Sequence, residues 1–181
     1  MKDITENVKA ILEAIEGTPL PDRLVDTPAR VQKALEELLD GYSVKIDELF
    51  KVFELGSDQL VIAQDIDFTS LCEHHCLLFF GQVHIAYLPN KKVIGASKLP
   101  RIVLAYSHRL QIQERIAENI AESIMKYLEP KGVCVVITAK HSCISCRGVK
   151  STNCKLTNSI MLGAFRDNPA ARAEVLALLK G

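Results

Sequence analysis

The sequence carries no net charge: its 22 basic side chains are matched by 22 acidic ones. A protein whose main task is to coat nucleic acid or an anionic membrane shows an excess of Lys and Arg, so neither class fits. A local basic pocket is still compatible with that balance. Low-complexity segments, internal repeats and linkers long enough to split the chain are also missing. No apolar run approaches the ~18 residues needed to span a bilayer. The opening MKDITENVKA lacks the apolar stretch of a secretory signal, so the expected compartment is the cytoplasm. There is no GxxxxGK[ST] or GxGxxG loop. Any nucleotide is therefore held by side chains and enters as a substrate rather than as an energy source. What is present is a chain of 181 residues, 48% apolar and 24% charged. That composition excludes disorder and collagen, and on a prior of ~150 residues per domain it is one globular domain or one with an appendage. In a reducing compartment its six Cys are thiols or metal ligands rather than disulfides.

Apolar residues at Ile4, Val8, Ile11, Leu12 and Ile15 have the spacing of a helix with one buried face. After a turn at Gly17 to Pro21, Asp26-Thr27-Pro28 reads as an N-cap with Pro at the first helical position. Val31, Leu35, Leu38 and Leu39 give that second helix its apolar face, and Gly41 ends it. Asp47 to Phe53 reads as a short third helix. Residues 1–55 thus read as an N-terminal helical unit, and 56–181 as the domain that follows it. From about residue 59 the period changes. Val83, Ile85 and Tyr87 alternate with Gln82, His84 and Ala86 as in a half-buried strand, with a turn at Pro89-Asn90 and a return strand at Val93-Ile94. A helical pattern follows Ser97, and Ile116, Ile120, Ile124 and Leu128 mark a long helix that stops before Pro130. Val133 to Thr138 is a β-branched strand with Ser159 to Phe165 as its partner, and Pro169 to Lys180 is a terminal helix. This order predicts an α+β domain, an antiparallel sheet with packed helices.

Three of the five His and four of the six Cys fall in two short clusters, Cys72-Glu73-His74-His75-Cys76 and His141-Ser142-Cys143-Ile144-Ser145-Cys146. Thiolate and imidazole together select zinc, and Cys-x2-His is a spacing at which both can reach one ion. If Cys72, His75, Cys143 and Cys146 all bind, the site is closed and structural. If only three bind, one position stays open for a water whose pKa zinc lowers to about 7, and the spare His74 and His141 suit proton transfer. Buried thiols beside surface histidines are the third reading. A second, basic and polar group comprises Ser97, Lys98, Arg101, Gln111 to Arg115, and Arg147. Converging cations suit phosphates, and Gln with Glu can read a base edge, the carboxylate accepting from paired N–H donors.

The order and spacing of Cys72-Glu73-His74-His75, Gly95-Ala96-Ser97-Lys98 with Arg101, Gln111-Ile112-Gln113-Glu114-Arg115, and His141-Ser142-Cys143 with Arg147-Gly148-Val149 resemble GTP cyclohydrolase I. The match runs from Asp26-Thr27-Pro28-Ala29-Arg30 to Gly163-Ala164-Phe165. Any one piece is a weak signal, whereas five in register are specific. The resemblance implies a zinc hydrolase that opens the imidazole ring of GTP and yields 7,8-dihydroneopterin triphosphate and formate, the entry to tetrahydrofolate and other pterins. It implies Cys72, His75 and Cys143 as zinc ligands, hence the open site, and it withdraws that role from Cys146. His141 is implied as the principal proton-transfer group, with His74 assisting and Ser97 helping the ribose to open. Gln113 and Glu114 would hold the guanine edge, and Lys98, Arg101, Arg147 and Arg30 the triphosphate. The implied fold is the tunnelling fold, preceded here by the helical unit. The implied assembly is a homo-oligomer, a decamer of two pentamers with sites between subunits, so that Arg30 would serve a neighbour's pocket. Nucleic acid and membrane are not expected partners. The short N-terminus points to a bacterial-type enzyme without a feedback partner. A related tunnelling-fold reductase would need a Cys nucleophile and a nicotinamide cofactor instead, and a non-enzyme would close its zinc with Cys146. Ala96 replaces a common Leu, and Cys76 and Cys146 are unusual neighbours of the motifs.

Overall fold

The computed structural model describes residues 1–54, 56 and 59–179. Its helices and strands run α1 (Thr5–Glu16), α2 (Thr27–Leu38), α3 (Ile46–Leu49), β1 (Val52–Glu54), β2 (Val61–Cys72), β3 (Leu78–Leu88), β4 (Lys92–Ile94) and α4 (Lys98–Ser107). Then come β5 (Leu110–Gln111), α5 (Gln113–Leu128), β6 (Gly132–His141), α6 (Ser142–Ser145), β7 (Leu156–Gly163), α7 (Ala164–Asp167) and α8 (Pro169–Leu179). The predicted boundary between 55 and 56, at Leu55, and the last residue of the terminal helix, Lys180, lie outside the described residues.

The main sheet has the order β5-β2-β3-β6-β7. It is antiparallel except for the short parallel pair of β5 with β2. One face carries Val83, Ile85, Val133, Val135 and Ile137 against the apolar stripe of α5, where Ile116, Ile120, Ile124 and Leu128 are fully buried. These four sit at the i, i+4 spacing that puts side chains on one face of a helix. Leu99, Ile102 and Val103 of α4 complete that layer. The opposite face holds a smaller cluster in which Ala86 and Cys134 meet Phe165 and, from α8, Val175.

Five local readings are corrected. Strand β2 was not visible as a strand because its alternation is broken. Val61 and Ala63 face the main core, as do Ile66 and Phe68, so the inward phase jumps by three residues at a bulge where Asp65 takes φ 55°. Val93-Ile94 does not return against β3, whose two edges are already taken by β2 and β6; it pairs instead with β1. The predicted third helix stops at Leu49, and Val52 and Phe53 extend into β1 as that partner. Asp26 does not cap α2. Its backbone is helical and its side chain makes no cap bond, the carboxylate meeting Arg30 at 3.1 Å instead. Helix α1 is present as the periodicity predicts, but its apolar face is not buried in one chain, and Ile11 and Ile15 remain exposed.

The N-terminal unit is tied to the domain at Gly41. A Cβ there would lie 2.5 Å from the Ala105 carbonyl oxygen, so only glycine permits the approach. Arg109 donates to the Gly41 carbonyl at 2.9 Å, and His108 and Asp40 meet at 2.8 Å. Among the described residues no helix is long and apolar enough to cross a membrane.

Candidate metal and proton-transfer site

Both β2 and β6 flank β3 and run antiparallel to it, so their C-terminal ends lie at the same end of the sheet, on either side of the start of β3. β2 ends at Cys72, and the following turn carries Glu73, His74 and His75 before β3 begins. The turn is closed by Cys76 N–H donating to the Cys72 carbonyl at 2.8 Å and by Cys72 N–H donating to Leu77 at 2.9 Å. β6 ends at His141, and Cys143 follows within α6. The register brings β5 to the same end, with Gln111 beside Cys72. Gln113 and Glu114 then open α5.

The ligand atoms of Cys72, His75 and Cys143 all lie within 4.8 Å of one another, and Cys72 Sγ is 3.9 Å from His75 Nδ1. Tetrahedral ligands held ~2.0–2.3 Å from one ion are themselves roughly 3.5–3.8 Å apart, so the spacing fits a metal. The chemistry of the donors fits as well. Burial and the neighbouring Cys72 together push the Cys143 thiol above its ordinary range. That crowding of two sulfurs is what a soft divalent cation relieves. Cys146 stands exposed at the end of α6, outside the group. This arrangement corresponds to the three-ligand set. His74 Nδ1 lies 3.8 Å from Cys72 Sγ, and its ring is tilted against that of His75 at 6.2 Å.

His141 is half-buried and stacked on Phe79, with centroids 4.7 Å apart and planes 4° from parallel. Its Nε2 is 2.9 Å from Gln113 Oε1. Burial holds its imidazole below the ordinary range, with the Glu114 carboxylate acting in the opposite sense. Gln113 is buried and also contacts Ile137, Leu156 and Asn158. Glu114 is exposed on the first turn of α5. Arg147 is exposed just beyond α6, where its charge favours the Cys143 thiolate.

Ser97, Lys98 and Arg101 are not gathered with this group. The C-terminal end of α4 leads into β5 beside Cys72, so Ser97 and Lys98 stand at the far end of a ten-residue helix, roughly 15 Å away. Arg101 lines a separate cavity of about 230 Å³ with Asp40, Leu49 and His108. Arg30 is exposed on α2, paired with Asp26. Three contributors at the metal end were not singled out for a role in the sequence: Phe79, Asn158, and the ion pair of Arg115 with Glu73. Arg115 belongs to the Gln111–Arg115 motif. Phe79 and Asn158 have no motif, and only strand register reveals them. Of the other thiols, Cys76 and Cys154 are exposed, while Cys134 is buried and its pKa is pushed up by that burial to about 11.

The profile of the GTP cyclohydrolase I family matches residues 4–180. A GTP cyclohydrolase 1 of Coxiella burnetii (strain RSA 493 / Nine Mile phase I) is 49% identical over 179 residues, covering 98% of this chain and 97% of that protein. Proteins of the same name are 45% identical over 180 residues in Campylobacter jejuni serotype O:6, covering 98% and 95%, and 46% identical over 175 residues in Leptospira biflexa, covering 96% of each. Among solved structures, the apo form of an archaeosine synthase QueF-Like is similar with TM-score 0.50 and 18% identity, over 59% of this chain and 96% of that one. That likeness concerns the fold, the tunnelling type that the family resemblance implies.

Proposed function

The chain belongs to the GTP cyclohydrolase I family, and from that premise we propose that it opens the guanine imidazole ring of GTP by hydrolysis. The reaction releases formate and leaves 7,8-dihydroneopterin triphosphate, the first step of tetrahydrofolate and pterin biosynthesis. The observation that carries this reading is the convergence of Cys72, His75 and Cys143 beside His141 at one end of the sheet.

Cys72, His75 and Cys143 would hold zinc, which when bound supplies a Lewis acid with one open position and lowers the pKa of a water toward neutrality. His141, half-buried and held below its ordinary pKa range, is neutral when the substrate arrives and takes or returns a proton at the purine. His74, exposed on the turn, assists ring opening, and Ser97 assists the ribose. Glu114 accepts from the paired N–H donors of the guanine edge, with Gln113 at the same corner. Lys98, Arg101, Arg147 and Arg30 meet the triphosphate.

This set supports an assembly in which a second copy completes the site, since Ser97 and Lys98 lie roughly 15 Å from the metal end of their own chain. The decamer of two pentamers implied by the family resemblance is the form we propose, with 1–55 as the helical unit and 56–181 as the catalytic domain. The apolar residues Ile11 and Ile15 of α1, exposed in one chain, and the outer edge of β7 are surfaces such copies would cover. The enzyme would work in the cytoplasm.

The test is GTP turnover by the purified protein with and without a metal chelator. A pterin that fluoresces after oxidation, together with formate, is expected from the metal-loaded protein and not from the chelated one. Absence of turnover with zinc fully loaded would overturn the reading.

A further inference from the structure

We propose that Gln113 and Asn158 are positioning residues for His141. Together they fix which nitrogen of its ring carries the proton and which is left to accept one. The proposal rests on the reading of His141 as the proton-transfer group.

Gln113 is the first residue of α5 and is only 1% exposed. Its Nε2 lies 3.2 Å from the Ile137 carbonyl oxygen, 3.1 Å from that of Leu156 and 2.8 Å from Asn158 Oδ1. Backbone carbonyls only accept, so the end of the carboxamide that faces them is the NH2 group. Turning the amide over would set its oxygen against these acceptors with no proton between them, in a buried place where an unmade bond is costly. Gln113 Oε1 therefore faces His141, 2.9 Å from Nε2. An amide oxygen has no proton to give. Nε2 must be the protonated nitrogen and the donor, and in the neutral ring Nδ1 is the free acceptor.

The strands that present His141 also supply this clamp. Ile137 belongs to β6, the strand that ends in His141, and is the register partner of Asn158 on β7. Phe79, on which the ring stacks, is the register partner of His141 on β3. Ring plane and tautomer are thus both set by the ladder, in the way a neighbouring acceptor fixes a catalytic or ligating imidazole elsewhere. Because both ends of the buried carboxamide are engaged inside the protein, Gln113 acts on the reaction through His141. Reading the guanine edge by a side chain falls to Glu114.

The experiment uses the zinc-loaded full chain with ¹⁵N-labelled histidine and combines NMR of the His141 ring with steady-state kinetics. The wild type should show the Nε2–H form. Gln113→Ala should give a mixture of ring forms and lower kcat by about 10²-fold, with KM for GTP changed by less than about threefold. Asn158→Ala should shift both readouts the same way, with kcat down by about tenfold, and Asn158→Asp, which keeps the accepting oxygen, should recover most of that loss. The proposal is overturned by an Nδ1–H form in the wild type, or by Asn158→Ala leaving ring form and kcat untouched. It is also overturned if Gln113→Ala raises KM at constant kcat and relaxes discrimination between GTP and inosine triphosphate, for then Gln113 reads the base. His141→Ala separates the two layers: if kcat survives that change, the proton-transfer reading itself fails, whatever the ring form in the wild type.

Discussion

The two groups of predicted site residues differ in how the protein holds them. At the metal end, Cys72, His75, His141 and Cys143 are placed by the ends of two strands that flank β3 and fixed by a turn, a stacked ring and a buried carboxamide. At the other, Ser97 and Lys98 start a helix, Arg101 lines a separate cavity, and Arg30 pairs with an exposed Asp26. Groups that must hold a metal and pass a proton need tight placement. Groups that meet a triphosphate are long, flexible cations whose partner arrives with the substrate. One chain thus contains the chemical half of the proposed site ready-made and offers the phosphate half to a different location.

Removing a sulfur from the metal end is the harshest way to probe this contrast. Cys143→Ala should abolish metal binding, measured by atomic absorption, and lower turnover by at least about 10³-fold. Full metal content in that variant would break the assignment. Mixing it with a Lys98→Ala protein, after dissociation and reassembly and at GTP well below KM, should raise activity above that of either variant, to as much as about a quarter of wild type, if each site draws Cys143 and Lys98 from different copies. No recovery in verified mixed oligomers would mean that one chain supplies both. Lys98→Ala alone should raise KM for GTP by about tenfold or more while the metal content stays full. The mildest change is Glu73→Gln, which breaks the exposed pair with Arg115 beside the ligand turn. Exposed ion pairs contribute little to stability, so the melting temperature should hold, and a large loss of metal would show that the pair orients the turn.

The two Cys/His clusters were legible because their residue types are rare and their spacing is local, with Cys-x2-His within one turn and His-x-Cys straddling a strand end; spacing alone left Cys146 a candidate ligand, and the family resemblance set it aside. The α5 stripe at Ile116, Ile120, Ile124 and Leu128 was legible for the same reason of short-range period. What escaped depends on distant pairing. The bulge at Asp65 interrupts the alternation that would have marked β2. Nothing local to Val93-Ile94 says that β1 is its partner rather than β3. Asn158 and Phe79 are ordinary strand residues whose roles arise only once register sets them opposite Ile137 and His141. The burial of α1 was overread because amphipathic spacing says that a face wants cover, not that the same chain provides it.

The central position of β3 has a consequence for how the protein matures. The two ligand clusters lie far apart in sequence and meet only when β2 and β6 have both zipped onto β3. Such pairings of high sequence separation are the slow part of folding. A chain with one of those strands missing, or slipped by a residue so that its side chains change face, has no complete trio of donors to offer. Capture of an ion by that trio would thereby be a late event that rewards only the finished ladder, and metal uptake during refolding should lag behind helix formation and coincide with closure of the three inner strands.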